Sequence, residues 1–393
     1  MQHGNRTDRR RHKSVERFID RHSLGRLLAS GVVTLGCTGA AHAQSTVTLY
    51  GMVDAGVRYV SNFDGSHSNT YLSSSGLMPT EFGLKGAEDL GGGLRAIFQL
   101  ENQFSLSNGQ AAPITTGQQM FGRQAFVGLD GDFGKFTLGR QYNALTAFFS
   151  YNPIWVDGAA PVYVAGDNFL LGYRINSSAV YQKTIGPVSL QLDYGFGGQP
   201  GSVARGSTIG GNVSYAFSQA ILAGAYEQFK SDDGTSIAKD WTAGGRYSIG
   251  NASLFAGYMH NSASGTTDER RDLYFGGAQY AVTPALLLSG GYYYYRQSGC
   301  TGTCTAGQTV ALGSSGSQIM GISAGGGPGH GNILAFSAKY ALSKRTSVYL
   351  EADTYRLRGG AAQDQIYYWT GNNNPNLKSI NQNAAMVGMT HAF

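Results

Sequence analysis

The sequence predicts an all-β fold, an antiparallel transmembrane β-barrel of about 16 strands, and three observations predict it. Apolar and polar residues alternate with period two over runs longer than ordinary strands. Short turns and long loops alternate along the chain. After residue 43 no stretch approaches 18 consecutive apolar residues, which excludes spanning helices.

The first 43 residues read as an export signal. Arg6, Arg9, Arg10, Arg11, Lys13, Arg17, Arg21 and Arg26 form a basic region, "LLASGVVTLG" is a short apolar region, and "AHA" at 41–43 is a small-x-small site with cleavage expected after Ala43. The apolar run is too short for a membrane anchor. A lipoprotein reading through Cys37 is disfavoured by Thr34 three residues earlier. Eight of the 29 Lys and Arg and three of the 24 Asp and Glu fall in this segment, leaving 21 of each sign in residues 44–393. The basic balance of the whole chain therefore belongs to the signal, and nucleic acid is not an expected partner. Residues 44–393 read as one domain without a linker.

The strands follow from side-chain alternation, because successive side chains along a strand point to opposite faces. In "STVTLYGMVDAGVRYV", Val47, Leu49, Val53, Val57 and Tyr59 share one parity, and Thr48, Tyr50, Asp54 and Arg58 the other. "LRAIFQLENQ" places Leu94, Ala96, Phe98 and Leu100 outward and Arg95, Gln99, Glu101 and Gln103 inward. "VSLQLDYGF", "NILAFSAKY" and "TSVYLEADTY" repeat the pattern. A tilted strand crossing a membrane needs about 9–11 residues. Tight turns at "DLGGG", "DGDFG", "TIGP", "SQ", "IGN", "VTP" and "LSK" alternate with long loops, the longest near 297–330 and 357–380. Short turns on one rim and long loops on the other suit a closed barrel, whose strands leave no backbone amide unpaired in hydrocarbon. A soluble sandwich would show shorter strands at closer spacing.

No catalytic constellation emerges. "GISAG" around Ser323 matches a nucleophile elbow but is followed by "GGPGHG", which cannot form the required helix. "LGGGLR" is a turn between strands, "GDFGKF" lacks the spacing of a phosphate loop, and Asp232-Asp233 in "SDDGTS" reads as a solvated loop tip. His67, His260, His330 and His391 are scattered. Neither an enzyme nor a cofactor is expected. Cys300 and Cys304 are the remaining cysteines, and in an oxidising compartment a small loop disulfide is the default reading. Charges on the lipid face are costly, about 2–4 kcal/mol for an arginine at mid-bilayer. Arg58, Lys85, Arg95, Arg174, Arg246 and Lys339 are therefore expected inside, with Asp54, Glu81, Asp193, Glu351 and Asp353. They serve either as general wetting of a pore wall or as a charge filter.

"STVTLYGMVDAGV", "FGLKGAEDLGGGLRAIFQLE", "GRQAFVGLDGDFGKFTLGRQY", "ALSKRTSVY" and the closing "MVGMTHAF" resemble the trimeric general porins of beta-proteobacterial outer membranes, over essentially all of 44–393. The resemblance implies a 16-stranded barrel with one pore per subunit, assembled as a homotrimer. It also implies a loop folded into the pore, here about residues 143–168, with Asp157 as its central acid and Asp167 near its exit. An arginine ladder would face that loop, and the motif match carries it to Arg123 and Arg174. Arg123 and Arg140 share parity with Val127, Leu129, Phe136 and Leu138, so a bulge or a rim position is needed to bring them inward. Where such porins commonly have "SRFG", this chain has "TEFG", so Glu81 replaces a pore arginine. The pore is thus expected to be less anion-preferring than its arginine-rich relatives.

The expected function is passive diffusion of ions and small hydrophilic solutes across the cell outer membrane. The expected partners are two further copies, outer-membrane lipids and lipopolysaccharide, and the barrel assembly machinery. Two other readings stay open: a substrate-specific channel, for which Tyr293 and Tyr295 or Tyr292 and Tyr294 would track the lumen, and a barrel whose loops adhere to host surfaces. The last strand alternates up to Phe393, which is expected at the lipid face and, by the resemblance, as the residue read by the assembly machinery.

Overall fold

A computed structural model describes residues 46–111, 120–151, 172–264, 269–298, 327–363 and 376–393. The expected signal at 1–43 with Cys37, most of the expected pore loop with Asp157 and Asp167, Ser323, and Cys300 with Cys304 lie outside the described residues. The chain begins with β1 (Thr46–Val60), β2 (Asn69–Ser74), β3 (Glu81–Gly91), β4 (Leu94–Gln103), β5 (Gln124–Gly131) and β6 (Gly134–Tyr142). The helix α1 (Ala144–Tyr151) follows, then β7 (Arg174–Ile185), β8 (Val188–Gly195), β9 (Thr208–Phe217), β10 (Ala220–Lys230) and β11 (Ile237–Ile249). The remaining strands are β12 (Ala252–Ser264), β13 (Glu269–Ala281), β14 (Leu286–Gln297), β15 (Gly329–Ala341), β16 (Thr346–Gly359) and β17 (Ser379–Ala392).

All strands join one antiparallel sheet in which β1 pairs with both β2 and β3, each strand from β3 onward pairs with the next in sequence, and β17 closes on β1. The seven turns read from the sequence all connect neighbouring staves on one rim, and Gly91, Gly92 and Gly93 take positive φ at the first of them. β2 and β3 both pair with β1, at its two ends, and form two halves of one stave, so the wall has 16 staves.

That interruption was not predicted. β1 pairs up to Met52 with β3 and from Ala55 with β2, which leaves residues 75–80 as an extra segment opposite Val53 and Asp54. Asp54, fully buried, holds the segment: its carboxylate accepts the N–H groups of Gly76 (2.9 Å), Leu77 (3.0 Å) and Met78 (2.8 Å) and the hydroxyl of Tyr349 (2.6 Å). The donors displaced from the ladder are thereby satisfied by one side chain. Tyr349 and Met386 pack with Leu77 beneath it.

Alternation sorts the rest. Val47, Leu49, Leu192, Leu222, Leu254 and Leu350 stand exposed on the outer face, where hydrocarbon would cover them. The inward parity carries Asp54, Arg58, Glu101, Asp193, Glu351 and Asp353, all buried against other groups of the lumen. Asp233, at the loop tip between β10 and β11, accepts bonds from the Ser231 hydroxyl and the Thr235 N–H and hydroxyl, which draw its carboxyl down to about 2.

Candidate functional site

Inside the barrel, Glu81 and Glu101 converge on one arginine. Glu81 opens β3 and pairs with Met52, and Glu101 pairs with Gly83, so both carboxylates share the inward face. Arg123 precedes β5 and is off its ladder, which frees it from the parity that would aim it at lipid. Its Nε lies 2.6 Å from Glu81 Oε2 and donates over 2.6 Å to Glu101 Oε1. Nη1 donates to Gln103 (3.1 Å) and Nη2 to the Tyr142 hydroxyl. The Tyr50 hydroxyl donates to Glu101 (2.7 Å) and accepts from Gln99 (2.7 Å), while Lys85 lies 5.0 Å over the Tyr50 ring. Arg174, the first residue of β7, stacks 5.0 Å over the opposite partner of Arg123, the Tyr142 ring.

The other predicted cations sit elsewhere. Arg58 pairs with Asp353 at 2.8 and 2.9 Å and lies 3.9 Å from Glu351. Arg95 pairs with Asp130 near the short-turn rim. Arg140 keeps the outward parity of Phe136 and Leu138 on β6 and donates to the Gly122 carbonyl (2.7 Å) and the Asn176 amide oxygen. Its surroundings are irregular: the β6–β7 register shifts between Gly139 and Gln141, Gly139 takes φ 140°, and Ser177 takes φ 46°.

Two features of the inner wall escaped the sequence reading. The first is an acidic row running across hydrogen-bonded neighbours: Asp193, Gly210, Glu227, Asp240 and Asn261. A Cβ on Gly210 would lie 2.4 Å from Glu227 Oε2 and 2.6 Å from Asp193 Oδ1, so the glycine leaves the space that both carboxylates fill. Asn261 donates to Asp240 (2.7 Å), and Gln191 to Asp193 (3.2 Å). Glu227 accepts the Ala144 N–H (3.1 Å) at the start of α1, whose first turn is capped by Asn143 through the Thr146 N–H (2.8 Å). The parity of Glu227 in "AYEQF" and Asp240 in "AKDWT" was the available signal.

The second is an apolar band facing inward on β12–β17. Met259, Leu273, Tyr295, Gly331, Leu357 and Ile380 are successive neighbours across the sheet, with Phe275, Tyr293, Ile333 and Tyr355 in the adjoining row. Leu145 and Phe148 of α1 pack into this cluster, and Phe149 reaches Phe275 with ring centroids 6.1 Å apart. Of the four tyrosines in "GGYYYYRQ", Tyr293 and Tyr295 face inward and Tyr292 and Tyr294 outward. Below α1 the lumen opens into a cavity of about 670 Å³, lined by Asp130, Lys135, Gln182, Gln191, Asn212 and Ser214 among others.

Comparison with known proteins agrees with this geometry. The family model described as Gram-negative porin matches residues 29–360. An outer membrane porin protein of Bordetella pertussis is 37% identical over 137 residues, 31% of this chain and 34% of the relative. Outer membrane porin protein 32 of Delftia acidovorans is 33% identical over 198 residues, 47% of this chain and 54% of the relative. The chain thus spans about a third and about half the length of these two relatives. Among solved structures, an anion-selective porin from Comamonas acidovorans superposes with a TM-score of 0.68 at 22% identity, covering 89% of this chain and 100% of that one.

Proposed function

The chain belongs to the Gram-negative porin family, and from that premise we propose that it forms a water-filled channel for passive diffusion of ions and small hydrophilic solutes across the outer membrane. The observation that carries the reading is a closed wall of 16 staves whose inward parity is charged around an open cavity. A barrel of this size leaves a lumen rather than a filled core. The reading gives the chain no catalysis. A substrate-specific channel has less support, because Tyr293 and Tyr295 face inward but are 0% and 6% exposed and so offer solutes no aromatic track.

The selectivity follows from Arg123. Clamped between Glu81 and Glu101, it contributes no free positive charge to the lumen, and the pore should be less anion-preferring than an arginine-rich one. Single-channel recording in planar bilayers, with solute competition, tests both parts. Discrete conductance steps are expected, and Glu81→Arg should shift the zero-current potential in a salt gradient toward anions. A soluble monomer or a step-free bilayer would overturn the channel reading; an unmoved potential would overturn only the role of Glu81.

The same reading takes residues 1–43 as a removed export signal, which N-terminal sequencing of the membrane protein beginning at Gln44 would support and an uncleaved start would refute. It takes the subunits to associate as homotrimers through their apolar outer walls, and crosslinking that yields only monomers would count against that. Phe393 exchanges backbone bonds with Gly51 (3.2 and 3.0 Å) and lays its ring over that glycine on the outer face. As the assembly signal, its deletion should reduce membrane insertion more than conductance; normal membrane levels would argue against it.

A further inference from the structure

The break in the second stave sends a segment into the lumen. Ala55 pairs with Ser74 and Met52 with Glu81, so residues 75–80 stand opposite only Val53 and Asp54. They are too many for the ladder and must leave the plane of the wall. What they touch fixes the direction they take. Asp54, Tyr349 and Met386 hold the inward parity of β1, β16 and β17 and are buried. Asp54 takes the N–H groups of Gly76, Leu77 and Met78. Gly76 lies against the Tyr349 hydroxyl and the end of Met386, where any Cβ would collide. Leu77 packs with the same two side chains. The segment therefore lies inside the barrel, at the seam where β17 closes on β1.

Its two ends are tied to one residue of β1 and to each other. The Ser75 N–H (3.0 Å) and the Thr80 hydroxyl (2.8 Å) both donate to the Asp54 carbonyl. The Asp54 N–H donates to the Thr80 hydroxyl (3.0 Å), and the Thr80 N–H to the Ser75 hydroxyl (2.8 Å). These bonds hold Ser75 at φ 88°, a conformation that residues other than glycine rarely adopt. A segment tied in this way is a fixed ridge rather than a lid. Along it Ser75, Gly76, Leu77 and Thr80 are buried, whereas Met78 is 42% exposed. Around it on β1–β3 the exposed Val47, Leu49, Val57, Leu72, Phe82 and Leu84 hold the outward parity, where hydrocarbon covers them. Met78 is exposed on the other side, toward lumen water. The ridge runs directly into Glu81, so Met78 stands beside the carboxylates that clamp Arg123. α1 lies against β9 and β10, half a turn of the wall away. Ridge and helix thus narrow the lumen from opposite sides.

We propose that residues 75–80 form a second constriction of the pore, and that Met78 at its crest touches passing solutes and limits their size and the conductance. The inference rests on the channel reading. An uncharged thioether side chain narrows the path without adding to the field of the charged wall. Selection by size and selection by charge then come from neighbouring but separate residues, Met78 and Glu81.

The test uses the full-length protein in planar bilayers, with Cys300→Ser/Cys304→Ser as the parent and Met78→Cys added to it. A cationic or an anionic methanethiosulfonate reagent is applied from water, and labelling is counted by mass spectrometry. Either reagent should lower the conductance step of the Met78→Cys protein and leave that of the parent unchanged. The cationic adduct should shift the zero-current potential in a salt gradient toward anions, and the anionic adduct toward cations. A structural disturbance alone would not give shifts of opposite sign. In the otherwise unaltered chain, Met78→Ala should raise the step and Met78→Trp lower it; these two variants decide if Met78→Cys does not insert. Three results would each overturn the ridge and leave the channel reading standing: labelled Met78→Cys protein with unchanged steps, a thiol that water-borne reagent does not reach, or equal steps for Met78→Ala, wild type and Met78→Trp. A parent and wild type without any steps would overturn the channel reading, and the ridge with it.

Discussion

The inner wall of β1–β9 and that of β12–β17 are filled by different means. One row of cross-strand neighbours links them: Arg95, Asp130, Lys135, Gln182, Gln191 and Asn212 at one end, and Met259, Leu273, Tyr295, Gly331, Leu357 and Ile380 at the other. Both ends point into the barrel. From Asp130 to Asn212 the first end lines the cavity, and its side chains are polar. The second packs with Leu145 and Phe148 of α1 and with Ala361 and Ala362, which follow β16, so its side chains are apolar. Facing the lumen is therefore not the same as facing water; what stands against a stretch of wall sets its chemistry.

The polar half is most vulnerable at Arg123. In the polar half, structure should depend on charge pairing, and removing one partner of a buried cluster costs about 3–5 kcal/mol because the others are left uncompensated. Arg123→Ala should therefore destabilise by roughly that amount, measured by urea unfolding of the refolded barrel. Adding Glu81→Gln and Glu101→Gln should recover most of the loss. If Arg123→Ala cost almost nothing, lumen water would already be solvating both acids, and the polar half would need no pairing.

The apolar half answers to packing. Phe275 is buried, with its ring filling the site where a Gly257 Cβ would lie and stacking on Tyr293 at 6.5 Å. Phe275→Ala should cost about 3 kcal/mol through the cavity it leaves, with the zero-current potential unchanged. A moved potential with unchanged stability would mean that ions pass this wall.

Much of this could be read along the chain, because alternation is a consequence of strand geometry. It assigns Arg95, Glu101, Asp193, Lys339, Glu351 and Asp353 to the inner face without any tertiary knowledge. Three things could not be read that way. Phe149 of α1 reaches Phe275 from more than a hundred residues away, so local pattern holds no trace of that contact. Arg123 escapes its parity by lying outside β5, and strand boundaries are poorly marked in sequence. The break between β2 and β3 falls in "SSGLMPT", where small and polar residues blur alternation. Only the register with β1 exposes it.

The smallest effect is expected where the two halves meet. Tyr349 belongs to β16 but donates its hydroxyl to Asp54 on β1, crossing β17 between them. Asp54 also holds the N–H groups of Gly76, Leu77 and Met78, so the hydroxyl is one of four donors to a single carboxylate. Tyr349→Phe keeps the ring over Gly76 and Gly388 and removes only that bond. A hydrogen bond to a charged group is worth about 1.5–3 kcal/mol, but three donors remain to solvate the carboxylate. The loss should thus fall near the low end, about 1.5 kcal/mol, again without a change in potential. A loss as large as that of Arg123→Ala would mean that the seam, rather than either half, governs the stability of the barrel.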